Sequence, residues 1–202
     1  MSEKQEHWIF GYGSLICRTS RTTTTQWLED ANVTLHGYER NWCANISAAR
    51  TTVLGITQAE GATCNGMLVR LTEEALRLVD ERERASVYAR HALQRSRLDF
   101  PAPSRNSSLD NSWGYVCVTP KPPDTDAPIV QSYVDVVLGG CLATSTEFAQ
   151  EFIRTTGGWR HPWLNDRAAP RYVRAVRNPK LETRVDELLK QTIPEAFAMR
   201  RE

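Results

Sequence analysis

Two stretches of the chain hold residue types able to act on a small molecule. The first is Gly11-Tyr12-Gly13-Ser14-Leu15, directly after the apolar Trp8-Ile9-Phe10. Glycines on both sides of a tyrosine, followed by a serine, form a tight loop with exposed backbone amides. Such a loop either only turns the chain or holds an anion, because aligned N–H groups need no charged side chain to do so. The second stretch is Asp80-Glu81-Arg82-Glu83-Arg84. It falls near the C-terminal end of an expected helix, where the macrodipole opposes negative charge. It is either a solvated end laced by Arg77, Arg82 and Arg84, or one carboxylate points into a pocket and serves as a base.

Other readings of the same residues fit less well. A dinucleotide fingerprint needs a third glycine and a following helix, and the loop has neither. A nucleophile elbow needs glycine two residues past Ser14, where Ile16 stands. The five cysteines (Cys17, Cys43, Cys64, Cys117 and Cys141) are odd in number and irregularly spaced, and no CxxC occurs. They point to neither a disulfide framework nor a zinc site. Cys17 with a distant histidine is one rival, as a hydrolase nucleophile. His36, His91 and His161 have no ligand spacing.

The elements that must position these residues divide the chain. Trp8–Phe10 reads as a strand entering the glycine turn. "TTQWLED" reads as the start of a short helix or a connecting loop. "NVTLHGYERNWCANISAA" alternates as strands with Gly37 at a turn or bulge. "TTVLGITQ" and "CNGMLVRLT" read as two short strands separated by a turn. Thr72 caps a helix over "EEALRLVDERERA", with Ala75, Leu76 and Val79 at helical spacing. "YARHALQRSRLDF" and "WGYVCVTP" return to strand character, and "PAPSRNSSLDNS" between them reads as an exposed loop. From about 129 onward helices dominate: one over "IVQSYVDVVLGGCL", one capped by Ser145 or Thr146 and stopped at Gly157-Gly158, and one over "PKLETRVDELLKQTI". Strands first and helices later predict a single α+β domain over 1–202.

Composition narrows the partners. With 202 residues, the chain can bury one good core. Lys plus Arg is 25 against 24 for Asp plus Glu, a net charge of +1, so no global field draws in nucleic acid or an anionic membrane. The polar "MSEKQEH" and the short apolar run after it do not fit a signal peptide or a membrane span. The expectation is a cytoplasmic protein with reduced cysteines and a small-molecule partner.

In order, "FGYGSL", "GYERNWCANISAART", "CNGMLVRL" and "LVDERE" resemble the γ-glutamylcyclotransferase-like superfamily, and most nearly its ChaC-type branch. Val79 replaces the leucine of that branch's Leu-Asp-x-Arg-Glu, and Ala49-Arg50-Thr51-Thr52 stands where it has His-Arg-Gly-Thr. The resemblance covers roughly the first half of the chain plus "WGYVCV". It implies a small mixed β-barrel surrounded by helices, and an enzyme that closes a γ-glutamyl group to 5-oxoproline while ejecting its amine partner. It implies Glu83 as the acid–base residue, with Glu81 the alternative should the helix phase differ. Backbone amides of Tyr12, Gly13, Ser14 and Leu15 would cradle the glutamyl carboxylate or oxyanion, Arg50 would grip a carboxylate, and Tyr88 would line the pocket. No metal or cofactor enters this chemistry. A non-catalytic γ-glutamyl-binding module is the second rival. "GWRHPWLNDRAAPRYVR" lies outside the resemblance. It reads as a loop packing Trp159, Trp163 and Tyr172 onto the barrel, or as a wall for the leaving group with Arg160, Arg167 or Arg171 meeting a carboxylate.

Overall fold

A long two-stranded ribbon organises the molecule. The computed structural model describes residues 6–84, 87–101 and 109–202. Strand β1 (Glu6–Gly11) is followed by the short helix α1 (Arg18–Thr22) and then by the ribbon, β2 (Glu29–Ile46) and β3 (Thr51–Thr72). The ribbon is antiparallel from Glu29↔Arg70 to Ile46↔Thr51. "TTQWLED" is mostly connection, and the short helix precedes it.

The two strands expected over 51–58 and 64–72 are one strand. The ladder is interrupted between His36 and Tyr38, which face Thr63 and Gln58, so 59–62 bulge opposite Gly37. Gly37 and Gly61 both take φ +78, a conformation costly for any side chain. These turn signals are spent on a bend inside one strand, because β2 runs alongside both halves and keeps them paired.

Helix α2 (Glu73–Arg84) follows β3 directly, and the Thr72 hydroxyl accepts from the Ala75 N–H at 3.2 Å, as expected of a cap. Ala75, Leu76 and Val79 are buried against Ile9 and Leu71. Next come β4 (Tyr88–Ala92), the two-residue β5 (Leu98–Asp99) and β6 (Ser112–Cys117). Residues 102–108 of the expected Pro/Ser loop lie outside the described residues.

Closure of the sheet depends on where β1 stops. Strand β1 is antiparallel to the end of β3, and β6 runs parallel to β1 at Trp8↔Ser112 and Ile9↔Trp113. Beyond the end of β1, β6 pairs with β3 at Ile56↔Val116, so the sheet curls into a barrel-like shape. β4 forms one edge on β6, and β5 adds to β2.

Strand β7 (Ile129–Val130) leads into α3 (Gln131–Thr144), then α4 (Thr146–Arg154), β8 (Thr156–Gly157), β9 (Trp163–Leu164), α5 (Pro179–Thr192) and α6 (Pro194–Ala198). Ser145 is the cap of α4, accepting from the Phe148 N–H at 3.0 Å. That helix stops before Gly157-Gly158, because Thr156 and Gly157 pair with Arg40 and Asn41 of β2. The segment expected to be irregular contains β9, which pairs in parallel with β7. Trp42 of the ribbon meets Tyr133 of α3 and Trp159 edge-on at ring separations of 5.8 and 5.0 Å. Trp159 in turn packs on Trp163, so one aromatic row joins the sheet to the helical half. No helix among the described residues is long and apolar enough to cross a membrane.

Candidate active site

The turn after β1 is held by a backbone bond from the Ile16 N–H to the Gly13 carbonyl, 2.9 Å. A Cβ at Gly11 would lie 2.9 Å from Leu15 Cβ, and one at Gly13 only 2.6 Å from the Tyr133 hydroxyl. Position 13 is therefore glycine because another side chain is already there. The backbone N–H groups of Ser14 and Leu54 lie toward the Tyr133 oxygen and offset part of the rise in its pKa that burial causes. Not all four amides of 12–15 thus face open space: that of Ser14 is turned toward a protein hydroxyl. Gly13→Ala is expected to destabilise the fold by about 1–3 kcal/mol, read from the urea midpoint. Adding Tyr133→Phe, which removes the opposing oxygen, should recover part of the loss.

Helix α2 sorts the acidic stretch by its phase. Asp80 turns inward behind the sheet, accepting from the Tyr115 hydroxyl at 2.8 Å and pairing with Arg90 at 2.7 Å. Glu81 is exposed and outside the cavity lining. Glu83 lies in the cavity wall with its side chain 15% exposed. Burial pushes its carboxyl pKa up, and the positive charges of Arg82 and Arg174 offset this only in part. Arg82 connects the two stretches: its Nε lies 3.1 Å from Glu83 Oε1, and its Nη2 donates to Ser14 Oγ at 3.1 Å. Its Nη1 donates to Thr24 Oγ1 at 2.7 Å, which fixes the guanidinium against the chain entering the ribbon.

These groups line one cavity of about 290 Å³. Tyr12, Gly13, Ser14, Leu15, Glu83 and Tyr88 are all in its wall. The Tyr88 hydroxyl donates to the Leu54 carbonyl and that of Tyr12 to the Tyr115 carbonyl, each at 2.5 Å. Burial holds both phenols far above their usual pKa, with the Glu83 charge adding to the effect, so they stay neutral donors.

Arg50 is not in that wall. It is exposed, in the left-handed region at φ 49, and ends the turn between β2 and β3. Its carbonyl accepts from Arg171 Nη1 at 3.0 Å, and Arg171 and Arg174 are in the wall instead. Both come from the C-terminal segment, which is anchored by the buried Asp166. That carboxylate accepts from the Ser132 N–H (2.7 Å) and hydroxyl (2.6 Å) at the start of α3, and from the Arg171 N–H (2.7 Å). Arg174 Nε donates to Thr23 Oγ1 at 3.0 Å. The other two arginines suggested for this wall are used elsewhere: Arg167 binds Asp135 and Asp186, and Arg160 pairs with Glu195 at the surface. Trp159 and Trp163 pack into the core, while Tyr172 lines the cavity. The segment is both packing and wall. No short motif marks Arg174 in the sequence, because a fold contact with Thr23, just after α1, holds it in the wall. Cys17 lies outside the lining, and no histidine is among the lining residues.

The sheet and its helices have counterparts among solved structures. A structure described as a gamma-glutamyl cyclotransferase aligns over 91% of this chain and 99% of its own, with a TM-score of 0.56 at 14% identity. An uncharacterized protein from Homo sapiens aligns over the same shares with a TM-score of 0.54 at 15% identity. YkqA from Bacillus subtilis reaches a TM-score of 0.56 at 18% identity, over 75% of this chain and 54% of that one. At such identities the likeness is one of fold. No curated protein sequence matches the chain. The family model described as ChaC-like protein matches residues 7–119, which takes in the glycine turn, the whole ribbon, α2 with Glu83, and β6. With more than half of its length covered, including the glycine turn and Glu83, the chain belongs to the ChaC-like protein family.

Proposed function

We propose that the chain is a γ-glutamylcyclotransferase that releases 5-oxoproline from a γ-glutamyl compound. One observation carries the reading: Glu83, a carboxyl whose proton affinity burial has raised, shares a cavity with the Tyr12–Leu15 turn and is joined to it through Arg82. In this reading Glu83 takes a proton from the substrate's α-ammonium group. A free α-amine with a pKa of about 7.7–8 is within reach of a carboxylate raised above its usual range. The amine nitrogen attacks the γ-carbonyl carbon of the same molecule, and backbone N–H groups of the turn hold the developing oxyanion. The bond to the leaving nitrogen then breaks as Glu83 returns the proton to it. Holding the substrate curled in the cavity removes most of the entropy cost of ring closure.

The leaving group faces Arg171 and Arg174. Two guanidinium groups at the mouth favour a γ-glutamyl amino acid or peptide with a carboxylate over a γ-glutamyl amine. Reversing both charges (Arg171→Glu, Arg174→Glu) is expected to raise KM for carboxylate-bearing substrates roughly 10–100-fold and to leave γ-glutamyl amines within a few-fold. Equal effects on both classes would remove the arginines from leaving-group recognition.

The direct test is 5-oxoproline release, followed by mass spectrometry, from glutathione, γ-glutamyl amino acids and γ-glutamyl amines. Binding without release would turn the reading to a γ-glutamyl-binding module. A cytoplasmic location goes with this proposal, supported by five cysteines that are all free thiols. So does a single domain, supported by one core cluster that contains Trp42 of the ribbon together with Leu138 of α3 and Leu189 of α5.

A further inference from the structure

A residue that the chemistry above does not use grips the Tyr12–Leu15 turn from behind. Arg21, on α1, is buried although it carries a full charge. Its Nη1 donates to the carbonyls of Leu15 and Ile16, at 3.3 Å each, and its Nη2 pairs with the exposed Asp30 of β2. The Trp27 indole N–H donates to the Arg21 carbonyl at 2.9 Å, which ties α1 to the chain entering the ribbon. Arg21 is outside the cavity lining, whereas Ser14 and Leu15 are in it. We propose that Arg21 is a positioning residue for the cyclisation: by holding two carbonyls it fixes the direction of the turn's N–H groups, a role that rests on the cyclotransferase reading.

A trans peptide is a rigid plane, so its C=O and N–H turn together. The Leu15–Ile16 unit is held at both ends, its C=O by Arg21 and its N–H by the Gly13 carbonyl at 2.9 Å. The Gly13–Ser14 unit is held by that same bond, and its Ser14 N–H lies toward the Tyr133 oxygen. Between these two planes is the Ser14–Leu15 unit, and its Leu15 N–H can turn only as far as its neighbours allow. A donor to an oxyanion works by being aimed before the reaction, so one left free to swing loses part of its effect in the transition state. Asp30 balances the charge of Arg21, so the guanidinium acts through its bonds and not as a field on the substrate. The same short segment holds two cations of the wall. Thr23 accepts from Arg174, and Thr24 accepts from Arg82, the partner of Glu83. Arg21 thereby joins the turn to the segment that fixes the surroundings of the base.

The test compares the wild type with Arg21→Met, Arg21→Lys and Asp30→Asn on glutathione, γ-glutamylalanine and a γ-glutamyl amine. The temperature is one at which circular dichroism shows every variant folded. Arg21→Met is expected to lower kcat for 5-oxoproline release about 10–100-fold with KM within a few-fold, because the aim of the turn counts in the transition state and not in the ground state. Arg21→Lys should recover only part of this, since an ammonium lacks the planar fork. Asp30→Asn keeps the bonds to the two carbonyls and should stay within a few-fold of the wild type. Amide hydrogen exchange reads the turn without turnover: the Ile16 N–H should exchange faster in Arg21→Met, while the amides of α2 and of the ribbon keep their protection. An arginine that only stabilises the fold would leave the kcat of folded molecules as it was. Unchanged kcat, a loss carried by KM, or unaltered exchange at Ile16 would each overturn the role of Arg21 and leave the cyclotransferase reading in place. No release by the wild type from any of the three compounds would sink that reading, and this role with it.

Discussion

Glu83→Gln is expected to lower 5-oxoproline release by about 10²–10⁴-fold and, at neutral pH, to make the protein more stable. Both effects have one cause. Burial raises the pKa of this carboxyl in the folded state, and Arg82 and Arg174 compensate only in part. The folded chain therefore binds the proton more tightly than the unfolded chain does, and stability falls as pH rises through the folded pKa. A neutral glutamine of the same shape escapes that cost. The gain should be on the order of 1 kcal/mol, or a few degrees in melting temperature. It should shrink as pH falls below the ordinary glutamate range, where Glu83 is protonated in both states. In the wild type the acid limb of kcat/KM should lie above that of a solvent-exposed glutamate, because activity needs the ionised form. Release that survives the substitution would sink the assignment, whatever the melting temperature does.

Arg40→Ala is expected to have the largest effect on stability, about 3–5 kcal/mol, or a fall of roughly 10 °C or more in melting temperature. Arg40 has no exposed surface, and its guanidinium lies 3.6 Å from the centre of the Phe152 ring. Its donors reach the Asn65 carbonyl (2.5 Å) and side chain (3.1 Å), the Phe152 carbonyl (2.9 Å), and the hydroxyls of Thr155 (2.8 Å) and Thr156 (2.7 Å). These bonds tie the ribbon to the end of α4 and to β8. Alanine would leave buried acceptors without donors and a cavity beside Phe152. Lysine keeps the charge but not the planar fork, so Arg40→Lys should recover less than half of the loss. Arg40 lies outside the cavity lining, and the turnover of the remaining folded molecules should change little. A large loss of kcat at temperatures where the variant is fully folded would contradict this structural role.

Much that is local was legible in the chain. The strand into the glycine turn, the cap at Thr72 with the apolar spacing of α2, and the helix over 179–192 depend on residues within one or two turns of each other. So do the ordered motifs that place the chain in its family, since each is a short run along the ribbon, the turn or α2. Tertiary structure decided what those motifs face. Asp80, Glu81 and Glu83 are alike as residues, and only packing of α2 on Ile9 and Leu71 sends one behind the sheet, one to solvent and one into the cavity. Arg50 had the right spacing, but the left-handed turn at the ribbon's end carries it outward. The cationic wall comes instead from Arg171 and Arg174, brought there because Asp166 binds the start of α3, 34 residues earlier in the chain. Gly55 shows the same limit: as a letter it is a weak turn signal, and only the curling of β6 onto β3 makes it a gap between Cys43 and Cys117. Backbone propensity and capping act over a few residues. Burial, charge neutralisation and the direction of a side chain are set by groups that the fold brings from far along the chain.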